Sequence, residues 1–183
     1  MTQRIVITGT DTGIGKTVFA AGLAGLPMGR VLPEVYRLTM PLSPHRSAEI
    51  DGVAIEAAKL SLPDLPGPLI IEGAGGLMVP LNRQTRFIDI FREWKLPVIL
   101  CARTALGTIN HTLLSIEALR ARSIPVIGVA FIGEEMADSQ RTIAEFGNVP
   151  QLGRLPHLDP LTPKALRQAM IANFDPALIG GDR

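Results

Sequence analysis

The chain has a single cysteine, Cys101, among 183 residues. No internal disulfide can form, and this usage suits a reducing compartment. Cys101 sits in the apolar run PVILCA and reads as a small buried hydrophobe. An excess of either charge is also missing. Eighteen Lys and Arg stand against seventeen Asp and Glu, for a net charge of +1, so there is no electrostatic case for nucleic acid or an anionic membrane. No apolar run reaches membrane-spanning length, and MTQRIVITG enters a strand at once without building a signal-peptide core. The expectation is a cytoplasmic protein with neither nucleic-acid nor membrane partners. Internal repeats and low-complexity tracts are absent as well. What remains is globular: 46% hydrophobic and 19% charged residues, in a length that suits one domain, residues 1–183.

Short apolar runs rich in β-branched residues alternate with helical stretches. The runs are IVIT at 5–8, PLIIEG at 68–73, PVILCA at 97–102 and PVIGVAFI at 125–132. Helices are expected over KTVFAAGLAG, Ile88 to Trp94, Asn110 to Arg122, Ser139 to Phe146 and Pro163 to Asn173. Strands apolar on both faces and separated by helices describe a doubly wound, mainly parallel sheet covered on both sides, a three-layer α/β/α fold. One stretch fits poorly. Residues 26–68 hold seven prolines, only a weak helix near Ala48 to Leu60, and no convincing second strand.

The segment from Arg4 to Gly25, RIVITGTDTGIGKTVFAAGLAG, places a glycine-rich turn and Lys-Thr between a strand and a helix. This is the P-loop arrangement. Glycines let the backbone wrap phosphate oxygens, the amides point inward, and the helix start adds about half a positive charge. Lys16 is placed to reach the β- and γ-phosphates of ATP, and the Thr17 hydroxyl to ligate Mg²⁺. Gly9 precedes Gly15 by six positions, one more than the common motif.

Other residues carry two readings each. Thr12 either meets a ligand within the loop or serves as a turn or helix-start residue. Glu72, at the carboxyl end of an apolar strand, is either in a metal shell or in a structural ion pair. Asn110 is either a ligand contact or an N-cap. His45 and His111 read as hydrogen-bonded structural side chains, since neither has a partner pattern of metal or nucleophilic chemistry.

The string GTDTGIGKT, Gly9 to Thr17, resembles the phosphate loop of the dethiobiotin synthetase family, which carries the same one-residue expansion. PLSPHRSAEIDG from Pro41, IIEGAGGLMVPL from Ile70 and ARTALGTINHTLLSIEAL from Ala102 resemble further family segments, in the right order. The resemblance implies a P-loop NTPase-like fold and an ATP- and Mg²⁺-dependent ligase. Such an enzyme joins CO₂, taken from the bicarbonate pool, to 7,8-diaminononanoate and closes the ring of dethiobiotin, the penultimate step of biotin synthesis. It implies catalytic roles for Lys16 and Thr12. Nucleotide binding falls to Gly13, Ile14, Gly15, Lys16, Thr17, Val18, Glu72, Gly73, Ala74 and Gly75, with Pro156, His157 and Leu158 beside the base. Thr17 and Glu72 are implied for the metal. Thr12, Gly107, Thr108 and Asn110 are implied for the substrate, whose carboxylate the 107–110 loop meets across a homodimer interface.

Two departures stand against this pattern. After its first helix the family carries a second strand ending in Lys-Pro-x-x-Ser-Gly and then a metal-holding aspartate, and no such stretch follows Gly25. Omission of the stretch from the sequence, a true deletion, and a chain that keeps nucleotide binding without activity all remain open. Omission is favoured, because a deletion would remove a central strand and leave a hole in the sheet. At Ile132-Gly133, several family members carry an Asn-Asp pair that reads adenine, so a relaxed preference among nucleotides is expected. A rival class, the partitioning and division-site ATPase switches, carries a lysine five positions before the loop lysine. Here that position is Asp11. A nucleotide-binding relative without ligase activity is the other alternative.

Overall fold

A computed structural model describes residues 4–26 and 28–180. Six strands form one parallel sheet: β1 (Arg4–Gly9), β2 (Arg30–Val31), β3 (Leu69–Glu72), β4 (Val98–Arg103), β5 (Val126–Ile132) and β6 (Gln151–Leu155). Their spatial order is β2-β3-β1-β4-β5-β6, and every pairing is parallel. Seven α-helices accompany them: α1 (Lys16–Ala24), α2 (Pro44–Asp51), α3 (Phe87–Trp94), α4 (Thr108–Arg120), α5 (Ala137–Gly147), α6 (Pro163–Asn173) and α7 (Pro176–Gly180).

The near-continuous apolar strands follow from burial on both faces. Alternate residues of β1 and β4 feed different layers. Ile5, Ile7, Ile99 and Cys101 pack with Phe19 and Leu23 of α1 and with Leu166 and Met170 of α6. On the opposite face Val6 and Val98 join Ile88 and Phe91 of α3, while Leu100 and Ala102 join Ile116 and Ile143 of α4 and α5. This is the expected three-layer α/β/α arrangement. Helices α1 and α6 touch closely at Gly22, where a Cβ would lie 2.7 Å from Met170 Cγ. Thr162 caps α6 by accepting from the Ala165 amide at 3.2 Å, and Pro163 opens the helix with its pre-set φ.

Several expectations need correction. The weak helix near Ala48 to Leu60 is two pieces, α2 and a 3₁₀ turn at Ala57–Leu60. Gly52, at φ 67°, ends the first of them. Strand β6 and helix α7 were absent from the sequence reading. Among the described strands β1 lies directly between β3 and β4. A second strand does exist, the two-residue β2, and it lies at the edge beyond β3.

Phe91 ties the core to the phosphate-binding edge. It is fully buried, stacks near Phe87 and Trp94 with ring centroids 6.0 and 5.7 Å away, and fills the space beneath Gly73, where a Cβ would sit 2.7 Å from its Cζ. Phe91→Ala should lower unfolding free energy by about 3–5 kcal/mol. Phe146, 78% exposed, should tolerate alanine within about 0.5 kcal/mol. Urea-unfolding midpoints of both variants check this, and equal losses would refute it.

Candidate active site

The carboxyl ends of β1, β3, β4, β5 and β6 meet at one edge of the sheet, the edge at which open α/β sheets bind ligands. The register places Ile7 opposite Glu72 and Gly9 opposite Cys101. The turn from Thr10 to Gly15 springs from the middle of this edge and is anchored by the Thr10 amide, which donates to the Cys101 carbonyl at 3.0 Å. Gly15 caps α1 in the left-handed region at φ 98°, a conformation that costs a glycine nothing. Beneath it Ile132 leaves no room, since a Cβ on Gly15 would lie 3.0 Å from Ile132 Cγ2. The first amides of α1 have no partner in the preceding turn of helix and point into the loop.

Lys16 is 6% exposed. Its ammonium donates to the Asp11 carbonyl at 2.9 Å. Burial pulls its pKa below the ordinary lysine value, while the Glu72 and Asp11 carboxylates push back. The thiol of Cys101 lies fully buried and is pushed far up by desolvation, which fits the reading of an inert hydrophobe. Thr17 donates its hydroxyl to Glu72 Oε1 at 2.7 Å. Of the two readings of Glu72, a structural ion pair is not what forms: its partner is a hydroxyl. Two hard oxygen donors side by side next to a phosphate-binding turn suit Mg²⁺, which keeps several waters and takes few protein ligands. Among the described residues no three His, Cys, Asp or Glu side chains cluster to hold a metal, so any ion here leans on phosphate oxygens and water.

Gly75 and Gly76 press the β3–α3 connection against the phosphate loop. A Cβ on Gly75 would lie 3.4 Å from Thr12 Oγ1, and one on Gly76 would lie 3.4 Å from the Gly9 carbonyl. Thr12 is a loop residue and not a helix start, because the cap is Gly15. Its amide donates to Asp11 Oδ1 at 2.7 Å, and Asp11 also pairs with the Arg103 guanidinium. Arg103 was missed in the sequence. Its signal is the one that flagged Glu72, a charge at the carboxyl end of an apolar strand.

Along the other flank, Gly133 lies over Thr104 and His157, with a would-be Cβ 2.5 Å from Thr104 Oγ1 and 3.6 Å from His157 Nε2. Arg154 donates to the Gly133 carbonyl at 2.9 Å. Pro156, His157 and Leu158 follow β6 directly, so they border the same edge. The Gly107 turn opens α4 next to β4. The N-cap is Gly107 at φ 90°, which corrects the reading of Asn110 as a cap. Asn110 is the third helical residue and is exposed. Thr108 is buried and lies 3.5 Å from Thr112, hydroxyl to hydroxyl. His111 is exposed, and the buried His45 Nδ1 has no hydrogen-bond partner.

Solved structures share the architecture. A ParA family ATPase from Chlorobium tepidum superposes with a TM-score of 0.57 at 12% identity, covering 93% of this chain and 92% of that one. The septum site-determining protein MinD complexed with Mg-ADP, from Pyrococcus horikoshii, gives 0.56 at 14%, covering 92% and 86%. At such identities they establish the fold alone. A family profile described as AAA domain matches residues 23–165.

Curated relatives are far nearer. The ATP-dependent dethiobiotin synthetase BioD of Rhodopseudomonas palustris strain HaA2 is 57% identical, covering 96% of this chain and 95% of the relative. That of Nitrobacter hamburgensis is 52% identical over 95% of each. The strain TIE-1 protein is 54% identical across 100% of this chain and 99% of its own length. That match runs over 210 residues against 183 here, so about 27 of its positions face no residue of this chain. The phosphate turn, the Thr17–Glu72 pair and this degree of identity over nearly the full length of both partners agree: the chain belongs to the ATP-dependent dethiobiotin synthetase family.

Proposed function

We propose that this protein is a single-domain ligase that uses ATP to join CO₂ to 7,8-diaminononanoate and close the cyclic urea of dethiobiotin, a step of biotin synthesis. One amine of the substrate adds to CO₂, losing a proton to give a carbamate. A carbamate oxygen attacks the γ-phosphorus and ADP departs. The second amine then displaces phosphate and forms the ring. The observation that carries this reading is the buried Lys16 ammonium at the phosphate turn, beside the Thr17–Glu72 pair.

The residues suit an encounter between two anions. Carbamate and γ-phosphate repel, and a desolvated ammonium with inward amides stabilises charge that develops between them far better than water does. Lys16 now rests on the Asp11 carbonyl, a neutral acceptor that a phosphate oxygen readily replaces. Gly13, Ile14, Gly15 and Val18 supply backbone around the phosphates, and Gly73, Ala74 and Gly75 bring the opposite wall close. Thr12, facing Gly75, borders the space a carbamate would enter. Thr17 and Glu72 would hold Mg²⁺, which when bound spreads the negative charge of the phosphates. The adenine would lie against Pro156, His157 and Leu158.

A cytoplasmic homodimer completes the reading, with Gly107, Thr108 and Asn110 reaching the carboxylate of a substrate held by the partner. The fully exposed Leu106 at the tip of this turn suits a buried place between protomers.

Release of ADP should require both 7,8-diaminononanoate and bicarbonate. Release that ignores the diamine would sink the ligase reading in favour of an ATPase switch. With Ile132-Gly133 near the base, GTP and CTP should support turnover within about tenfold of ATP, since one hydrogen bond is worth about 1 kcal/mol net and tenfold is about 1.4. Strict ATP dependence would count against that preference.

Lys16→Ala should lower turnover about 10²–10³-fold, the loss typical of one preorganised charge-stabilising donor. The sign of the pH effect follows from its lowered pKa. In the free protein the ammonium loses its proton below the ordinary lysine range, while bound triphosphate favours the charged form. ATP affinity should therefore be full below that lowered pKa and fall as pH rises through it. Titrations across alkaline pH should show this fall in the native protein and a flat, weak response in Lys16→Ala. Equal pH profiles would refute it.

Leu106→Asp should shift the protein from dimer to monomer in sedimentation equilibrium without changing its unfolding midpoint. A monomeric native protein would remove the dimer from this account.

A further inference from the structure

A turn suited to phosphate carries a carboxylate of its own. Asp11 stands five residues before Lys16, and a like charge so near a triphosphate works against its binding. Salt screens such repulsion only beyond about 8–10 Å, so the protein itself has to counter it. The same carboxylate is placed to compete for the ammonium. Lys16 already donates to the Asp11 carbonyl at 2.9 Å, and the Asp11 charge reaches it, favouring the protonated form. A carboxylate free to rotate onto Lys16 would exchange that neutral acceptor for an ion pair, which an incoming phosphate would have to break.

Two donors hold the carboxylate elsewhere. Its Oδ1 accepts from the Thr12 amide at 2.7 Å, and its Oδ2 accepts from the Arg103 guanidinium. Among the described residues Asp11 forms its ion pair with Arg103 and none with Lys16. Arg103 is well fixed for this task, as the last residue of β4, in register with Ile132 of β5. Two residues earlier the Cys101 carbonyl accepts from the Thr10 amide at 3.0 Å. The turn is therefore tied to β4 at two successive points. The first tie, through backbone, places the turn, and the second, through charge, cancels its carboxylate.

We propose that Arg103 is a positioning residue for triphosphate binding: it holds the Asp11 carboxylate at the end of β4, neutralises it, and so keeps the Lys16 ammonium for the ligand. It acts through Asp11 and not by touching the nucleotide. This rests on the reading of the turn as an ATP site and is independent of the ligase chemistry built on it. Both members of the bridge are close to half exposed, so it contributes little to folding, and its effect lies in binding.

Dissociation constants for ATP with Mg²⁺, measured by calorimetry without diamine or bicarbonate, test this in a double-mutant cycle. Arg103→Ala should weaken ATP binding at least about tenfold, through repulsion and through competition for Lys16. Arg103→Gln, which keeps a polar side chain without the charge, should do the same, and Arg103→Lys should bind at least about threefold more tightly than Arg103→Gln because a cation again faces Asp11. In an Asp11→Asn background, Arg103→Ala should change the affinity by no more than about threefold. Thermal midpoints should stay within about 4 °C of the native protein, as an exposed bridge requires, so that lost binding is not lost fold. A loss under tenfold in both Arg103→Ala and Arg103→Gln overturns the inference, as does an Arg103→Lys protein no tighter than Arg103→Gln. A loss above threefold in the Asp11→Asn background overturns it too, since the guanidinium would then be meeting the nucleotide itself. Native protein that binds no ATP removes the phosphate reading of the turn along with this inference, whereas native binding that ignores Arg103 removes this inference alone.

Discussion

An ammonium group held in a nearly dry place is the constraint on which the rest depends. Desolvation works against the charge of Lys16, and the protein opposes that penalty with a backbone carbonyl at 2.9 Å and nearby carboxylates. None of these comes from the helix that bears the lysine. The Asp11 carbonyl belongs to the turn, and Glu72 belongs to a strand 56 residues along the chain. The phosphate site therefore exists only if β1 and β3 pair in the register that sets Ile7 against Glu72. Shifting that pairing by one residue would carry Ile71 and Glu72 to the opposite faces of the sheet and drive a carboxylate against a packed layer.

The close approach of the two glycine-rich turns extends this dependence to α3. Gly73 lies on Phe91, and Gly75 and Gly76 lie on the phosphate turn. Phe91 in turn packs with Trp94 and Phe87, so the wall opposite Lys16 is held by an aromatic cluster on one face of the sheet. On the opposite face Phe19 of α1 meets Phe174 with ring centroids 5.2 Å apart, which fixes the helix that carries Lys16 and Thr17. The hydroxyl–carboxylate pair of Thr17 and Glu72 is thus positioned from both layers at once.

Which parts of this were legible in the sequence follows from how local their causes are. The phosphate turn was readable because strand, glycines, Lys16 and helix are contiguous, and the spacing alone fixes their relation. Glu72 was readable from the end of an apolar run. Strand β6 was not, because QLGRL alternates weakly and carries both a glycine and Arg154. Pairing with β5 makes it a strand, and that is a long-range cause. Of the two readings of Asn110 the cap fails for a related reason: Asn110 has the better capping chemistry, but Gly107 has the left-handed backbone the turn requires. The stretch after Gly25 was legible only as a departure from the family pattern; in the fold β1 lies between β3 and β4, and the strand that follows α1 is the two-residue β2 at the edge beyond β3.

Asp11 shows how one residue shapes the turn that holds Lys16. It accepts from the Thr12 amide and pairs with Arg103. Both members of that ion pair are close to half exposed, so it is worth little, about 0.2–1 kcal/mol. Its effect is on geometry: it ties the turn to the end of β4 while leaving Lys16 only a neutral carbonyl to hold. A triphosphate entering the turn therefore has no strong charge pair at Lys16 to break, only one exposed bridge at its rim.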